Sequence, residues 1–301
     1  MTRSRSQRRD RSGRDRRRMA RSLGSRPRRE RGGEKRWWIV IAVCVLVVGL
    51  LVWLNAFVIE HVEVDEITGC PSNGRMPEAH TIILVDETDA LNPDTIEYAK
   101  NVIYNEYRWL PIGGRMTVRN VISNPDLAED IVFCRIEDGS NANGIIDNPR
   151  MIQQRFDEIA GERLQQLYEA LSVAPEQEQS PIAEFVSIAM DRTNFGRNVA
   201  DRRLILLSDM AQHSDIASQY GAAPLLDPDA PALDHLEREM AGVHLRIHYL
   251  RRPELARLQT DAHRAFWTGY FANMGADDIA LGRGLLLGEP DNRETWSYDR
   301  E

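Results

Sequence analysis

The stretch "HTIILVDETDALNP", residues 80–93, decides the fold of this chain. An uninterrupted apolar run at 82–85 leads directly into the acids and hydroxyl of 86–89, and Pro93 follows. A short, fully apolar run of this kind is typical of a strand that is covered on both faces. Polar side chains that follow such a strand indicate one of three things: a metal site, a nucleophile that attacks a phosphate, or the start of a helix.

Downstream of this strand, apolar runs of strand length alternate with segments whose apolar residues recur at helical spacing. This alternation predicts crossover connections and an α/β fold, a doubly wound, mainly parallel sheet with helices on both faces, similar in layout to a Rossmann fold. The predicted strands are 81–86, 114–122, 130–136, 202–210 and 243–250, and the predicted helices are 92–110, 149–173, 180–191 and 253–276.

The N-terminal 36 residues differ sharply in charge from the rest of the chain. They contain 16 Arg or Lys and 4 Asp or Glu, a net charge of 16 − 4 = +12, so residues 37–301 carry −8 − 12 = −20. The segment has almost no large apolar side chains, and we therefore expect residues 1–36 to be a disordered tail. For its partner we favour anionic lipid near the membrane surface over nucleic acid.

Residues 37–59, "WWIVIAVCVLVVGLLVWLNAFVI", are predicted to form a transmembrane helix. About 20 apolar residues span a hydrocarbon core, and Trp37, Trp38 and Trp53 lie near the ends, where amphipathic rings prefer the interface. A cleaved signal peptide is the less favoured alternative, because its apolar region is shorter and a small-residue cleavage site follows it.

The basic residues before this span predict a cytoplasmic N-terminus. We therefore expect a single-pass protein of the bacterial inner membrane. Residues 60–78 are predicted to be a stalk, and residues 79–301 a periplasmic domain.

The cysteines agree with an exported domain. Cys44 lies within the predicted span, and Cys70 and Cys134 are the two cysteines that follow it. In an oxidising compartment these two are expected to form a disulfide, with two free thiols as the alternative.

Two predicted strands end in an acid, and hydroxyl groups lie nearby in the sequence. Asp86 and Asp209 follow their strands, Thr88 is two residues beyond Asp86, and Ser180 is at the start of a predicted helix. Sites in open α/β sheets form outside the carboxyl ends of the strands. Carboxylates and hydroxyls are hard oxygen ligands that suit Mg²⁺, whereas zinc prefers His and Cys. The alternative is that both acids cap helices.

These residues resemble the von Willebrand factor A (vWA) domains, over roughly residues 79–285. The metal-ion-dependent adhesion site of that family has Asp-x-Ser-x-Ser after the first strand, a Thr at a later helix start, and an Asp after the fourth strand, often in Thr-Asp-Gly. The matching ligands in this sequence are Asp86, Thr88, Ser180 and Asp209, with Asp89 as an alternative ligand. The sequence departs from the pattern at two positions, with Ala90 in place of the second hydroxyl and Met210 in place of the glycine.

The resemblance implies a protein-binding module and not an enzyme. A Mg²⁺ ion, with Mn²⁺ or Ca²⁺ as alternatives, would accept a carboxylate from a partner protein at the strand-end face.

A phosphohydrolase of the haloacid dehalogenase type is a second hypothesis, with Asp86 as nucleophile and Ser208 as its later hydroxyl. Against it, Thr88 occupies the place of that family's second Asp, and Lys35 and Lys100 are the only lysines. A structural scaffold with a degenerate metal site is the third hypothesis.

Overall fold

The computed structural model describes residues 32–58, 64–88, 91–141, 148–171, 177–221, 223–276, 278–282 and 285–286. Most of the basic tail, the start of the predicted stalk, Asp89 and Ala90 lie outside the described residues. The chain divides into two compact units, Met1–His61 and Val62–Glu301, and each is described separately.

The first unit contains one long apolar helix, α1 (Gly32–Val58). Its segment Arg36–Trp53 has a mean hydropathy of 2.3, and none of that segment is buried within the protein. The large side chains from Trp37 to Trp53 are exposed, apart from that of Ile41, which is partly exposed. A helix of this length and composition can cross a membrane, and a signal sequence near an N-terminus has the same properties.

The second unit is an α/β domain built on a six-stranded, mostly parallel sheet, which confirms the predicted fold class. The strand order is β3-β2-β1-β4-β5-β6, and every neighbouring pair is parallel except β2 and β3. A two-residue strand, β7, also pairs with β5. The strands are β1 (Ala79–Asp86), β2 (Arg115–Val121), β3 (Asp130–Cys134), β4 (Asp201–Ser208), β5 (Val243–Arg251), β6 (Asp278–Leu281) and β7 (Leu285–Leu286).

Helices pack on both faces of this sheet, so that two apolar cores form. On one face α2 and α4 pack against β1, β2 and β4, and on the other face α5 and α6 pack against β1, β4 and β5. All eight residues of β1 are buried, as are seven of the eight in β4, which explains their continuous apolar runs. The helices are α2 (Pro93–Trp109), α3 (Pro149–Phe156), α4 (Glu162–Ala170), α5 (Ile182–Met190) and α6 (Asp261–Asn273).

The strand order reverses between β1 and β4. From β1 the chain proceeds to β2 and β3 on one side, whereas β4, β5 and β6 extend the sheet on the other side. The connections after β1 and β4 therefore cross opposite faces of the sheet, and β1 and β4 form its topological switch point. Ligands of open α/β sheets bind at such a switch point.

The helix boundaries confirm some sequence predictions and correct others. Asn92 caps α2 by accepting the Thr95 N–H, and Pro93 is at the first turn, as expected. The predicted helix at 149–173 is interrupted by a π-helical turn, Asp157–Gly161. Ser180 lies just before α5 but does not cap it, because Pro181 is the capping residue and the Ser180 hydroxyl donates to Asp86.

The predicted terminal helix at 253–276 begins too early, since α6 starts at Asp261. The preceding segment folds as a short 3-10 turn, Pro253–Leu255, and a loop. The Gln259 side chain holds this loop by bonding to the Arg252 N–H and the Leu250 carbonyl. β6 was not predicted, because this four-residue strand is too short and too exposed to show an alternating pattern.

A disulfide joins Cys70 to Cys134, which confirms that prediction. It links the segment before β1 to the strand β3, and the Cys134 N–H also donates to the Thr68 carbonyl at 2.8 Å. Arg163 of α4 donates to the Ile67 carbonyl. Residues 64–78 therefore pack against the sheet domain.

Candidate functional site

The Asp86 carboxylate lies at the end of β1 and accepts hydrogen bonds from three hydroxyl groups. Its Oδ1 accepts from the Thr88 hydroxyl at 2.7 Å and from the Thr88 N–H at 3.2 Å. Its Oδ2 accepts from the Ser208 hydroxyl at 2.6 Å and from the Ser180 hydroxyl at 3.2 Å. All four residues are buried, and we call them the Asp86 cluster. The structure thus brings together three of the four predicted ligands.

Backbone pairing fixes the three segments that contribute these hydroxyls. Ser180 and His213 exchange two backbone hydrogen bonds, of 2.8 and 2.9 Å, which join the start of α5 to the loop after β4. The Gln177 N–H donates to the Thr88 carbonyl at 2.7 Å, which joins the same segment to the loop after β1. The Gln212 side chain accepts from the Ala183 N–H, in the first turn of α5. Hydroxyl positions in the cluster are therefore set by backbone contacts.

Asp209 does not join the cluster. Its Oδ2 forms an ion pair with Arg252 Nε at 2.7 Å, and its Oδ1 accepts the Ala211 N–H at 2.9 Å. Ser208 contacts Asp86 instead, because successive residues of a strand point to opposite faces of the sheet. Asp86 lies two and four residues beyond Leu84 and Ile82, so all three side chains point to the same face of the sheet. Ser208 is related in the same way to Leu206 and Leu204, which point to that face too. Counting parity in the sequence would have identified Ser208.

Met210 has the backbone conformation of a glycine. Its φ is +62°, and it is the non-glycine residue with positive φ in the described part of the chain. Such a conformation costs of order 1 kcal/mol or more for a residue with a side chain. Its N–H donates to the Ser208 oxygen at 2.7 Å, and its carbonyl accepts from Trp267 Nε1 at 2.8 Å. The bond to Ser208 directs that hydroxyl hydrogen towards Asp86.

Glu87 is a buried acid on the opposite side of the strand from Asp86. Its Oε2 accepts from Asn120 Nδ2 at 2.8 Å, and its Oε1 is buried with no hydrogen-bond partner in the described part of the protein. Burial raises the pKa of Glu87 to about 8, and the charge of Asp86 adds to the effect. Glu87 is therefore mostly protonated at pH 7, and Asp86 supplies the charge of the cluster.

The oxygens of the cluster are of the kind that binds a small divalent cation. One carboxylate and three hydroxyls are hard ligands of the type that Mg²⁺ prefers. Within the residues that the structure describes, no group of three or more His, Cys, Asp or Glu side chains could hold a metal. Because Asp209 is paired with Arg252 and Glu87 is neutral, the cluster carries about one negative charge. Cation affinity falls with fewer charged ligands, so the donor set fits a weakly bound cation.

A second buried network extends from the loop after β4 to α6. His263 contacts the Tyr249 hydroxyl through Nδ1 at 2.6 Å and Gln219 Oε1 through Nε2 at 2.9 Å. Gln219 Oε1 also accepts the Gln212 N–H at 3.0 Å. Burial lowers the pKa of His263 to about 4, so the ring is neutral at pH 7. Both ring nitrogens are used within the protein, and His263 therefore stabilises the loop that carries Ser208.

Comparisons with known proteins find no family model that matches this chain and no curated protein that matches it in sequence. The fold and the site define a mostly parallel α/β protein with a hydroxyl-bonded Asp86 at the switch point of its sheet.

Proposed function

We propose that this chain is a membrane-anchored, vWA-like protein-binding module whose recognition face is the carboxyl edge of the sheet. The apolar helix α1 and the basic residues before it support an anchor with a cytoplasmic N-terminus. The disulfide supports an oxidising compartment for the α/β domain, which is the periplasm of a bacterium. The domain would then face partners outside the cytoplasm.

The convergence of three hydroxyls on Asp86 carries the proposal. Thr88, Ser180 and Ser208 come from separate segments, and each bonds to the same carboxylate at the switch point. Three hydroxyl groups around one acid are more than a capping role requires, since a helix cap needs one acceptor near the first turn. The order of these groups along the chain also agrees with the vWA resemblance, with Ser208 in addition to its predicted ligands.

A divalent cation would be held by the oxygens of the Asp86 cluster. Hydroxyl oxygens keep free lone pairs when their hydrogens rotate away from Asp86, so the same side chains can become ligands. The bound cation would supply an open coordination position for a partner's carboxylate. Neutral hydroxyl ligands leave most of the cation's charge available, which favours an acidic side chain from a partner protein.

Cation binding can be measured on the full-length protein in a nonionic detergent. We expect Mg²⁺ and Mn²⁺ to give a calorimetric binding signal and a rise in melting temperature in the wild type. Asp86→Asn, which keeps the side-chain shape and removes the charge, should abolish both signals. Asp234→Asn removes the same charge from an exposed position and should behave as the wild type. Wild-type protein that binds neither ion would refute a cation-dependent site.

Partner binding needs a separate experiment in native membranes. Crosslinking should capture a partner that is lost in Asp86→Asn, retained in Asp234→Asn, and released by a chelator. A partner captured equally by all three proteins would place recognition on another surface.

One observation favours the scaffold hypothesis. Asp209, a predicted ligand, is held by Arg252 and so contributes no net charge to the cluster. A scaffold would show no cation binding, yet Asp86→Asn would still lower its stability because Asp86 accepts four hydrogen bonds. Phosphatase activity that Asp86→Asn abolished would support the phosphohydrolase hypothesis instead.

A further inference from the structure

Three arginines lie near the β3 end of the sheet, apart from the residues of the Asp86 cluster. Arg115 and Arg119 belong to β2 and share a face of that strand, and Arg192 follows α5. Arg119 is paired in register with Asp130 on β3. We call Arg115, Arg119 and Arg192 the arginine cluster. Arg115 and Arg119 are about 13 Å apart along the strand. Arg192 lies close enough to both to repel their charges.

Asp130 neutralises only part of this charge. Both of its oxygens accept from the Arg192 guanidinium, with Nη2 at 2.7 Å, and its Oδ1 lies 3.5 Å from Arg119 Nη1. Asp126 also lies close enough to Arg119 to attract its charge, so three guanidinium groups and two carboxylates leave an excess of about one positive charge. Residues 37–301 carry a net charge of about −20, so this local excess has the opposite sign to its surroundings.

Arg119 and Arg192 are fixed by other groups, whereas Arg115 is not. Arg119 donates to the Pro125 carbonyl at 2.6 Å and lies over the Phe185 ring at 5.3 Å. The side chain of Arg115 is half-buried and forms no hydrogen bond or ion pair within the described ranges of the chain. Its Nε is buried without an acceptor, as is the Nε of Arg119. A buried N–H donor without an acceptor is costly, so each of these groups favours an added acceptor.

Of the charged neighbours of Arg115, Arg192 repels its charge and Asp130 attracts it without bonding to it. Burial lowers the pKa of Arg115, and the positive charge of Arg192 adds to this effect, while Asp130 opposes it. His80 is paired in register with Arg115, but its ring nitrogens already contact the Asn194 carbonyl and the Thr117 hydroxyl. His80 is therefore neither a ligand nor a counter-charge.

We propose that Arg115, Arg119 and Arg192 form a binding site for a phosphate-type oxyanion. Such an anion carries between one and two negative charges at neutral pH, opposite in sign to the excess of the cluster. It offers oxygen acceptors that the guanidinium fork can bond in pairs. Arg192 already donates to both oxygens of the Asp130 carboxylate in this paired manner. The site is independent of the proposed cation site, because the two share no residue.

The experiment is a phosphate titration of the full-length protein in nonionic detergent. Ionic strength is held constant with sodium chloride, and melting temperature and calorimetric heat are both recorded. We expect inorganic phosphate and sulfate to bind and stabilise the wild type, and acetate at equal ionic strength to do so less. Equal stabilisation by chloride, or no heat with phosphate, would overturn the proposal.

Matched variants assign the binding to this site. Arg115→Gln should weaken phosphate affinity at least tenfold, and in phosphate-free buffer it should melt at or above the wild-type temperature because repulsion is relieved. Arg257→Gln removes the same charge from an exposed position and should bind phosphate as the wild type does. If Arg115→Gln did not fold, Arg115→Lys would decide, since it keeps the charge, loses the fork and should bind several-fold more weakly. Wild-type affinity in the Arg115 variant would disprove the assignment.

Arg115→Gln and Arg257→Gln should both retain the response of the wild type to Mg²⁺. A phosphate site that fails while Mg²⁺ still binds would contradict this inference alone, and the converse result would contradict the proposed function alone.

Discussion

The ion pair between Asp209 and Arg252 gives the sharpest stability prediction. The two charged atoms are 2.7 Å apart, and the exposed fractions of the two side chains are 3% for Asp209 and 15% for Arg252. At an effective dielectric constant of about 20, two unit charges at that distance attract by about 6 kcal/mol. The cost of removing both charges from water offsets much of this attraction. The ion pair as a whole therefore contributes little to the free energy of unfolding, but removal of one of its two partners is strongly destabilising.

Arg252→Met should lower the free energy of unfolding by about 3–5 kcal/mol, because it removes the cation and leaves a charge on a buried acid. Asp209→Asn should cost about 1–2 kcal/mol, since the amide oxygen can still accept the Ala211 N–H and Arg252 keeps some contact with water. The double variant should be less destabilised than the sum of the two, with a coupling energy of about 2 kcal/mol.

The measurement is urea and thermal unfolding of the wild type and the three variants, followed by near-ultraviolet circular dichroism in detergent. For a domain of this size, 1 kcal/mol shifts the melting temperature by about 2–4 °C, so Arg252→Met should melt about 10 °C lower. A variant Arg252→Met within about 1 kcal/mol of the wild type would refute the reasoning. So would a larger loss for Asp209→Asn than for Arg252→Met.

Three further predictions concern single features of the fold. Reducing the Cys70–Cys134 disulfide, which closes a loop of 64 residues, should lower stability by about 4 kcal/mol, and a double Cys→Ser variant should melt independently of reductant. Met210→Gly should be less destabilising than Met210→Ala by about 1 kcal/mol in urea unfolding, because glycine adopts φ of +62° without strain; the opposite order would show that the turn is not strained. Burial lowers the pKa of His80 and His263 to about 4. The contribution of each neutral ring to stability is therefore complete above pH 6.5 and is lost as the pH falls towards 4. The loss in the free energy of unfolding is about 1.4 kcal/mol per pH unit for each ring. His263→Gln should flatten the pH dependence by that amount, and an unchanged slope would count against a neutral buried ring.

The central strands and the start of α2 could be predicted because their signals are local. β1 and β4 are covered on both faces, and that burial requires a continuous apolar run that is visible in the sequence. Asn92 and Pro93 mark the start of α2 through backbone rules that operate within one turn. β6 carried no such signal, because a short, half-exposed strand depends on pairing with β5 for its conformation.

The candidate site was predicted only in part, for a similar reason. Asp86, Thr88 and Ser180 were chosen for their chemistry at strand and helix ends, and the structure places them together. Asp209, and not Ser208, was predicted as a ligand because a carboxylate binds a cation more strongly than a hydroxyl group does. The pleat of β4 instead directs Ser208 to Asp86 and leaves Asp209 to Arg252.

The apolar helix, the opposite net charges of residues 1–36 and 37–301, and the α/β alternation are all visible in the sequence, since they depend on composition and on periodicity along the chain. Which side chains meet depends on the folded domain. Arg252 is 43 residues beyond Asp209, and Arg192 is 62 residues from Asp130. Contacts at such separations depend on strand order and crossover geometry, which no local pattern encodes. The partner of each acid, and hence the charge that its site presents, follows from that geometry.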